Sequence, residues 1–176
     1  PVADHGNLEL SPDGARVAVA VTDHALETRD IWIYDAKSGD RTRFTSAPGD
    51  ENWLIWSGDG QRVVLNSFGR EHLDLFEATS RGFEPHTVLM NDAVAKWPVS
   101  LSRDGRFLIY TENDPKTRAD IRYVPLESGK APGEPVRLLG TTAVESQGQV
   151  SPNGKWLAYS SNEQGALEVY VRTFPT

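Results

Sequence analysis

Metal or acid–base chemistry in this chain would have to draw on four histidines, His5, His24, His72 and His86, and on 25 aspartates and glutamates. No two histidines stand in a His-x-His or His-Glu-x-x-His spacing, so a metal-bound water has no recognisable ligand set. They read as solvated loop histidines. The chain has no cysteine, which removes thiolate nucleophiles, thiolate metal sites and disulfides together. A serine nucleophile on a strand-to-helix elbow needs Gly-x-Ser-x-Gly, and "WSGDG" at 56–60 lacks that spacing. Glycine-rich stretches such as "SGDG" precede strand-like segments, so no helix N-terminus is on offer to cradle a phosphate. The sequence therefore predicts no catalytic residue, no metal and no cofactor.

The acidic residues are ordered by repetition instead. The signature Ser-x-Asp/Asn-Gly occurs at 11–14, 57–60, 102–105 and 151–154, at separations of 46, 45 and 49 residues. A second acid follows each signature glycine by 14 to 16 residues: Asp30, Asp74, Asp120 and Glu168. Two landmarks that keep step four times define a repeat. Acids at equivalent places in separate repeats do not gather into one site. Asp13, Asp59, Asp104 and Asn153, each followed by Gly14, Gly60, Gly105 or Gly154, are expected to close turns, a task that suits short polar side chains and a glycine with positive φ. The second set is expected to be structural at the start of a strand rather than to contact a metal or ligand.

The elements that carry these landmarks are strands. "ARVAVAV", "QRVVLNS", "RFLIYTE" and "KWLAYSS" follow the signatures directly, and their β-branched and aromatic content suits strands of about seven residues. "DIWIYD", "DLFEAT", "DIRYVP" and "EVYVRT" supply the next strand, and "TRFTS", "HTVLM" and "VRLLG" a further one. "GNLEL", "NWLIW", "WPVSL" and "SQGQV" form the innermost strand. Four strands in about 45 residues, with one hairpin tip repeated in phase, describe a β-propeller blade. A parallel β-helix would have shorter rungs and no need of the hairpin. The expected fold is all-β: a single partial propeller over 1–176, with blades at about 6–46, 52–90, 97–140 and 144–176 and the last lacking its outer strand.

With 38% hydrophobic and 24% charged residues the composition is that of an ordinary globular chain. No apolar run approaches the roughly 18 residues of a membrane helix, so this chain is not expected to insert in a membrane. A net charge of −7 disfavours nucleic acid as a partner, because phosphate binding needs a basic surface. The N-terminal "PVADHGNLEL" has neither an initiator Met nor a signal-peptide pattern, which is expected of a piece of a longer protein and leaves cytoplasmic and extracytoplasmic locations both open.

"SPDG" followed by "RVAVAV", with "DIWIYD" downstream, resembles the TolB-type, WD-repeat-like (PD40) propeller repeat of bacteria over nearly the whole chain. Gly58 and Arg103 replace the usual proline, and Asn153 the usual aspartate. "SPNGKWLAYSSNEQGALEVYVRTFP", with "DIWIYDAKSGDRTRFTSAPGDENWLIWSGDG" upstream, is more narrowly similar to the propeller C-terminal to bacterial serine/threonine kinases. The resemblance implies a non-catalytic binding or scaffolding propeller of a larger protein. Its alternative is a substrate-gating propeller beside a prolyl-oligopeptidase-type catalytic domain. One fold serves many functions, so the site must decide.

In such a meander the signature turns share one end with the third connection of each blade, while the second connection shares the other end with the links between blades. The links and second connections vary from blade to blade, and variable loops on a rigid scaffold are where recognition concentrates. Candidates there for a protein or peptide partner are His24, Arg29, Glu51, Asn52, Trp53, Arg70, His72, Lys96, Trp97, Lys116, Arg118, Glu145 and Gln147. Trp53 and Trp97 are expected just ahead of innermost strands, as anchors or as packing between blades. The resemblance implies a six-bladed ring, so four blades would leave apolar terminal faces and the "EVYVRT" edge open. Self-association through those terminal blades is expected.

Because no segment sustains a 3.6-residue apolar period, circular dichroism should show a β spectrum with almost no helical signal. An ordered helix of more than about three turns would contradict the reading.

Overall fold

The computed structural model describes residues 4–25, 27–46, 49–68, 73–127 and 130–175. Fifteen strands run in chain order: β1 (Asp4–Leu10), β2 (Arg16–Asp23), β3 (Thr28–Asp35), β4 (Arg41–Arg43), β5 (Asp50–Trp56), β6 (Arg62–Phe68), β7 (Leu73–Thr79), β8 (Gly82–Met90), β9 (Lys96–Leu101), β10 (Phe107–Asp114), β11 (Arg118–Pro125), β12 (Val136–Arg137), β13 (Glu145–Val150), β14 (Trp156–Ser161) and β15 (Glu168–Thr173). They form sheets β1-β2-β3-β4, β5-β6-β7-β8, β9-β10-β11-β12 and β13-β14-β15, each an antiparallel meander of consecutive neighbours. The fourth strands are shorter than the apolar segments suggested: "TRFTS" pairs only at 41–43 and "VRLLG" only at 136–137. Leu138 and Leu139 instead send their amides to the Ile121 carbonyl, and Leu138 turns into the core. The histidines are not all loop residues: His5 lies in β1, and His86 lies in β8 with its ring edge-on to Phe76 at 5.1 Å.

The signature turns are the same object four times. Ser11 Oγ donates to Asp13 Oδ1 at 2.6 Å and accepts the Arg16 amide at 2.9 Å, while Asp13 Oδ1 also takes the Ala15 amide at 3.0 Å. The other three repeats set Ser57 on Asp59, Ser102 on Asp104 and Ser151 on Asn153, at 2.6, 2.6 and 2.7 Å. Each serine oxygen accepts the amide that opens the second strand, from Arg62, Phe107 and Trp156. Gly14, Gly60, Gly105 and Gly154 have φ of 69°, 67°, 70° and 69°, a region that favours glycine over side chains with a Cβ. Asn153 keeps the acceptor oxygen, which explains why an amide is tolerated there.

The chain divides into two compact units, residues 1–93 and 94–176. In the first, Ala18, Ala20 and Ile31 of one sheet pack against Leu54, Trp56, Val63 and Leu65 of the next. Arg16 crosses the same joint, donating to the carbonyls of Gly60 and Ser80 at 3.0 and 3.1 Å with its guanidinium over the Trp56 ring. In the second, Ile109 and Ile121 meet Leu157 and Tyr159, and Phe107, Tyr123 and Phe174 form three edge-to-face pairs with centroids 5.4 to 5.5 Å apart. Gly148 lets β13 approach: a Cβ there would lie 3.1 Å from Ile109 Cγ2.

The turn hydrogen bonds, led by that from Ser102, hold the Asp104 carboxyl down at about 2, from 3.8. A depressed folded-state value adds stability that is complete above pH 3.8 and is lost as pH falls through about 2. Asp104→Asn keeps the acceptor and removes the titration. The variant should be less stable than the parent near neutrality, where the ionised carboxylate contributes, and should lose less stability on acidification through that window, read by thermal unfolding; an unchanged acid profile would show the carboxylate to be idle.

Candidate functional site

In the first unit the variable end is assembled from both blades. The Arg29 amide donates to Asp50 Oδ1 at 2.7 Å, its Nε to Thr22 Oγ1 at 3.3 Å, and its Nη1 to Asn52 Oδ1. Arg29 thus fixes the second connection of one blade against the innermost strand of the next. Asn52 and Trp53 sit at a β-bulge, where three steps along β5 from Glu51 to Leu54 oppose two along β6 from Ser67 to Leu65. A bulge redirects the side chains that it carries. The Trp53 amide is held by Asn66 Oδ1 at 2.9 Å, and its side chain is 39% exposed. His24 stands further out, with Nε2 3.1 Å from Asp4 Oδ2, both well exposed.

In the second unit the matching end carries exposed Lys116, Arg118 and Gln147 and half-buried Trp97. Asp114 shapes the loop by accepting the Lys116 and Thr117 amides. Arg118 and Gln147 have φ of 77° and 58°, so both hold the uncommon left-handed conformation. Gln147 stands in the β13 bulge, at the place Trp53 has in β5, and its Oε1 accepts Ser160 Oγ at 3.0 Å. Trp53 and Trp97 lie within β5 and β9 rather than ahead of them.

Three candidates are buried and so present no surface to a partner: Glu51 and Glu145 at 0% and Lys96 at 1% exposure. They occupy one equivalent register position, opposite Ser67, Ser161 and Glu112. Glu51 accepts Ser67 Oγ at 2.7 Å, and Glu145 accepts Thr141 Oγ1 at 2.5 Å. Lys96 Nζ donates to the Val94 carbonyl at 2.9 Å and lies 4.0 Å from Glu112. Beside two of them, Asp30 pairs with Arg43 at 2.7 Å and Asp120 with Arg137, so the second acidic landmark ties the third strand to the fourth. Their long side chains brace the links between blades. Arg70 and His72 lie outside the described residues.

Sequence reasoning missed Asn66 and the bulges. A lone Asn inside "VVLNSF" was the available sign, since a polar side chain in an apolar run needs a partner. The bulges left no sign, being a mismatch between two strands rather than a property of one. Among the described residues no group of three His, Asp or Glu side chains could hold a metal ion, and no helix is long and apolar enough to cross a membrane.

Solved structures share this architecture. TolB from Acinetobacter baumannii superposes with a TM-score of 0.76 at 17% identity, over 97% of this chain and 41% of that one. The fold is a β-propeller of the TolB type. Prolyl oligopeptidase B from Galerina marginata, in its complex with a 35mer hydrolysis and macrocyclization substrate, matches with a TM-score of 0.70 at 12% identity, over 96% of this chain and 25% of that one. In sequence the chain is similar to the uncharacterized peptidase YuxL of Bacillus subtilis, 29% identical over 155 residues. That match takes in 86% of this chain and 21% of the relative, so the chain spans about a fifth of that protein's length. No family model matches.

Burial raises the Glu51 carboxyl above 4.5, and the negative charges of Asp30 and Asp50 add to it against the opposing hydrogen bonds from Ser67 and Thr45. The folded state therefore holds this proton more tightly than the unfolded chain, and stability falls as pH rises from about 4.5 through the raised value. Glu51→Gln should flatten that fall and unfold no earlier than the parent at pH 7. A variant that melts lower at pH 7 and keeps the parent's slope would mean that the carboxylate is ionised and needed.

Proposed function

We propose that this chain is a non-catalytic recognition propeller whose variable-loop end takes a protein or peptide partner, with Trp53 as the anchor and Arg29 and Asn52 as its polar rim. One observation carries the reading. A large aromatic side chain is held half out of the protein at a bulge, on backbone fixed by Asn66, next to an arginine fixed by three acceptors. A side chain kept exposed by a rigid support loses little freedom on binding, which is how aromatic anchors gain affinity. His24, Lys116, Arg118 and Gln147 belong to the same proposal as exposed residues of the variable ends. The similarity of "SPNGKWLAYSSNEQGALEVYVRTFP" to kinase-linked propellers supports a docking role within a signalling protein.

The match to YuxL favours a second reading, in which the propeller admits peptides to a hydrolase domain of the same protein. Both readings place peptide contact on this chain, and the second places bond cleavage on another domain.

The test is panning of a displayed random-peptide library against the chain and its Trp53→Ala variant. Peptides should be enriched on the parent and lost on the variant, with thermal stability changed by no more than about 1 kcal/mol. A stability loss of about 3 to 5 kcal/mol with capture unchanged would make Trp53 a packing residue and sink the proposal.

A further inference from the structure

Two departures from the repeat fall on the two sides of one crevice. The second unit opens a space of about 260 Å³ between its signature turns, lined by Ser102, Arg103, Asp104, Pro152, Asn153 and Gly154. Arg103 stands where the first and fourth turns have Pro12 and Pro152, and Asn153 where the other three turns have Asp13, Asp59 and Asp104. One change adds a cation and the other removes an anion. Both raise the electrostatic potential at the same joint.

The corresponding joint of the first unit is filled and balanced. Pro12 Cδ would lie 3.7 Å from a Cβ on Gly60, and Arg16 spans the gap to the Gly60 and Ser80 carbonyls. Segments 11–16 and 57–62 carry two aspartates against two arginines, and Arg62 is engaged by Glu77 at 2.7 Å. Segments 102–107 and 151–156 carry Arg103, Arg106 and Lys155 against Asp104 alone. Phe107 takes the register of Arg16 and packs its ring on Tyr123 and Phe174, so an aromatic ring stands where the first unit has a guanidinium.

The groups left over define the ligand. Asp104 is engaged: its Oδ1 accepts Ser102 Oγ at 2.6 Å and the Arg106 amide at 3.1 Å, and its Oδ2 accepts Arg106 Nε at 2.7 Å. Asn153 Oδ1 accepts Ser151 Oγ and the Lys155 amide, which leaves the Nδ2 hydrogens as the donors this side chain offers. Arg103 is exposed, and among the described residues nothing pairs with it. A guanidinium fork and an amide NH2 on one crevice suit a planar carboxylate, which can take two parallel N–H bonds. A phosphate dianion would meet the Asp104 carboxylate with twice the charge. Pro152 supplies an apolar wall for the methylenes that carry a side-chain carboxylate.

We propose that this crevice docks a carboxylate side chain of an acidic peptide segment, with Arg103 as its ion-pair partner and Asn153 as the second donor. The site lies at the opposite end of its blades from Lys116 and Gln147 and stands independently of recognition by the variable loops.

Nuclear magnetic resonance titration of the chain with the capped peptide Ac-Ala-Glu-Glu-Ala-NH2 at constant ionic strength tests it. Exposed ion pairs are weak, so the Arg103 Nε–H and Asn153 Nδ2 resonances should shift saturably with a Kd of about a millimolar. The Gln-Gln counterpart should bind at least about tenfold more weakly. Arg103→Pro and Asn153→Asp each install a residue that sister turns of this chain already carry, so both should keep the β spectrum and each should weaken binding by about tenfold or more. Should Arg103→Pro fail to fold, Arg103→Gln carries the same test. Absence of a saturable shift, equal binding of the Gln-Gln peptide, or a folded Asn153→Asp variant that binds as the parent does would each overturn the proposal. Tighter binding of inorganic phosphate or of free glutarate than of the peptide would overturn it too, by making the crevice a small-anion site.

Discussion

Each blade depends on one serine hydroxyl with two obligations. Its proton goes to the Asp or Asn two residues on, and its lone pair takes the amide that opens the second strand. The backbone amide of the same serine donates to the carbonyl of that strand-opening residue, Ser11 to Arg16 and Ser57 to Arg62, and the serine carbonyl accepts the amide of the signature glycine, Gly14 or Gly60. The turn is thereby locked from both backbone and side chain by hydrogen bonds between residues no more than five apart in sequence. Locking it fixes which residue of the second strand opens the ladder, and a one-residue slip would send every core side chain to the wrong face. The alternation that places Ala18, Ala20, Val63 and Leu65 in one core is set at this hydroxyl.

The charged groups divide into two populations with opposite pH behaviour. Carboxylates in the turns are solvated and richly hydrogen-bonded, and they are held ionised, as the lowered values of Asp13 and Asp59 show with the bonds from Ser11 and Ser57 foremost. Glu51 is buried beside another acid and is pushed toward its neutral form. Burial without a full cation partner is costly, so the recurrence of an acid or a lysine at this one position, Glu51, Lys96 and Glu145, points to a shared mechanical need. A long polar side chain there reaches back to the link that has just delivered the chain to a new blade.

The fold was legible because the repeat is written in local chemistry. Ser-x-Asp-Gly followed by β-branched residues states a turn and a strand within a dozen positions, and four copies state the architecture. The site was less so. Trp53, Arg29 and Asn52 were visible as polar and aromatic residues in variable segments, but Glu51, Lys96 and Glu145 looked alike in sequence and are buried. Nothing local separates Glu51 from Asn52, its neighbour on the same strand. The bulge decides which of them faces the solvent, and a bulge is counted between strands.

Amide hydrogen exchange on the folded chain tests the central claim most directly. If the serine-locked turns set the register of every blade, the amides of Arg16, Arg62, Phe107 and Trp156 exchange as slowly as the interiors of β2, β6, β10 and β14, because both then open only with the whole sheet. Exchange of those four amides at the rate of exposed loops, with the strand interiors still protected, would show that the turns fray freely and that register is set by the core alone.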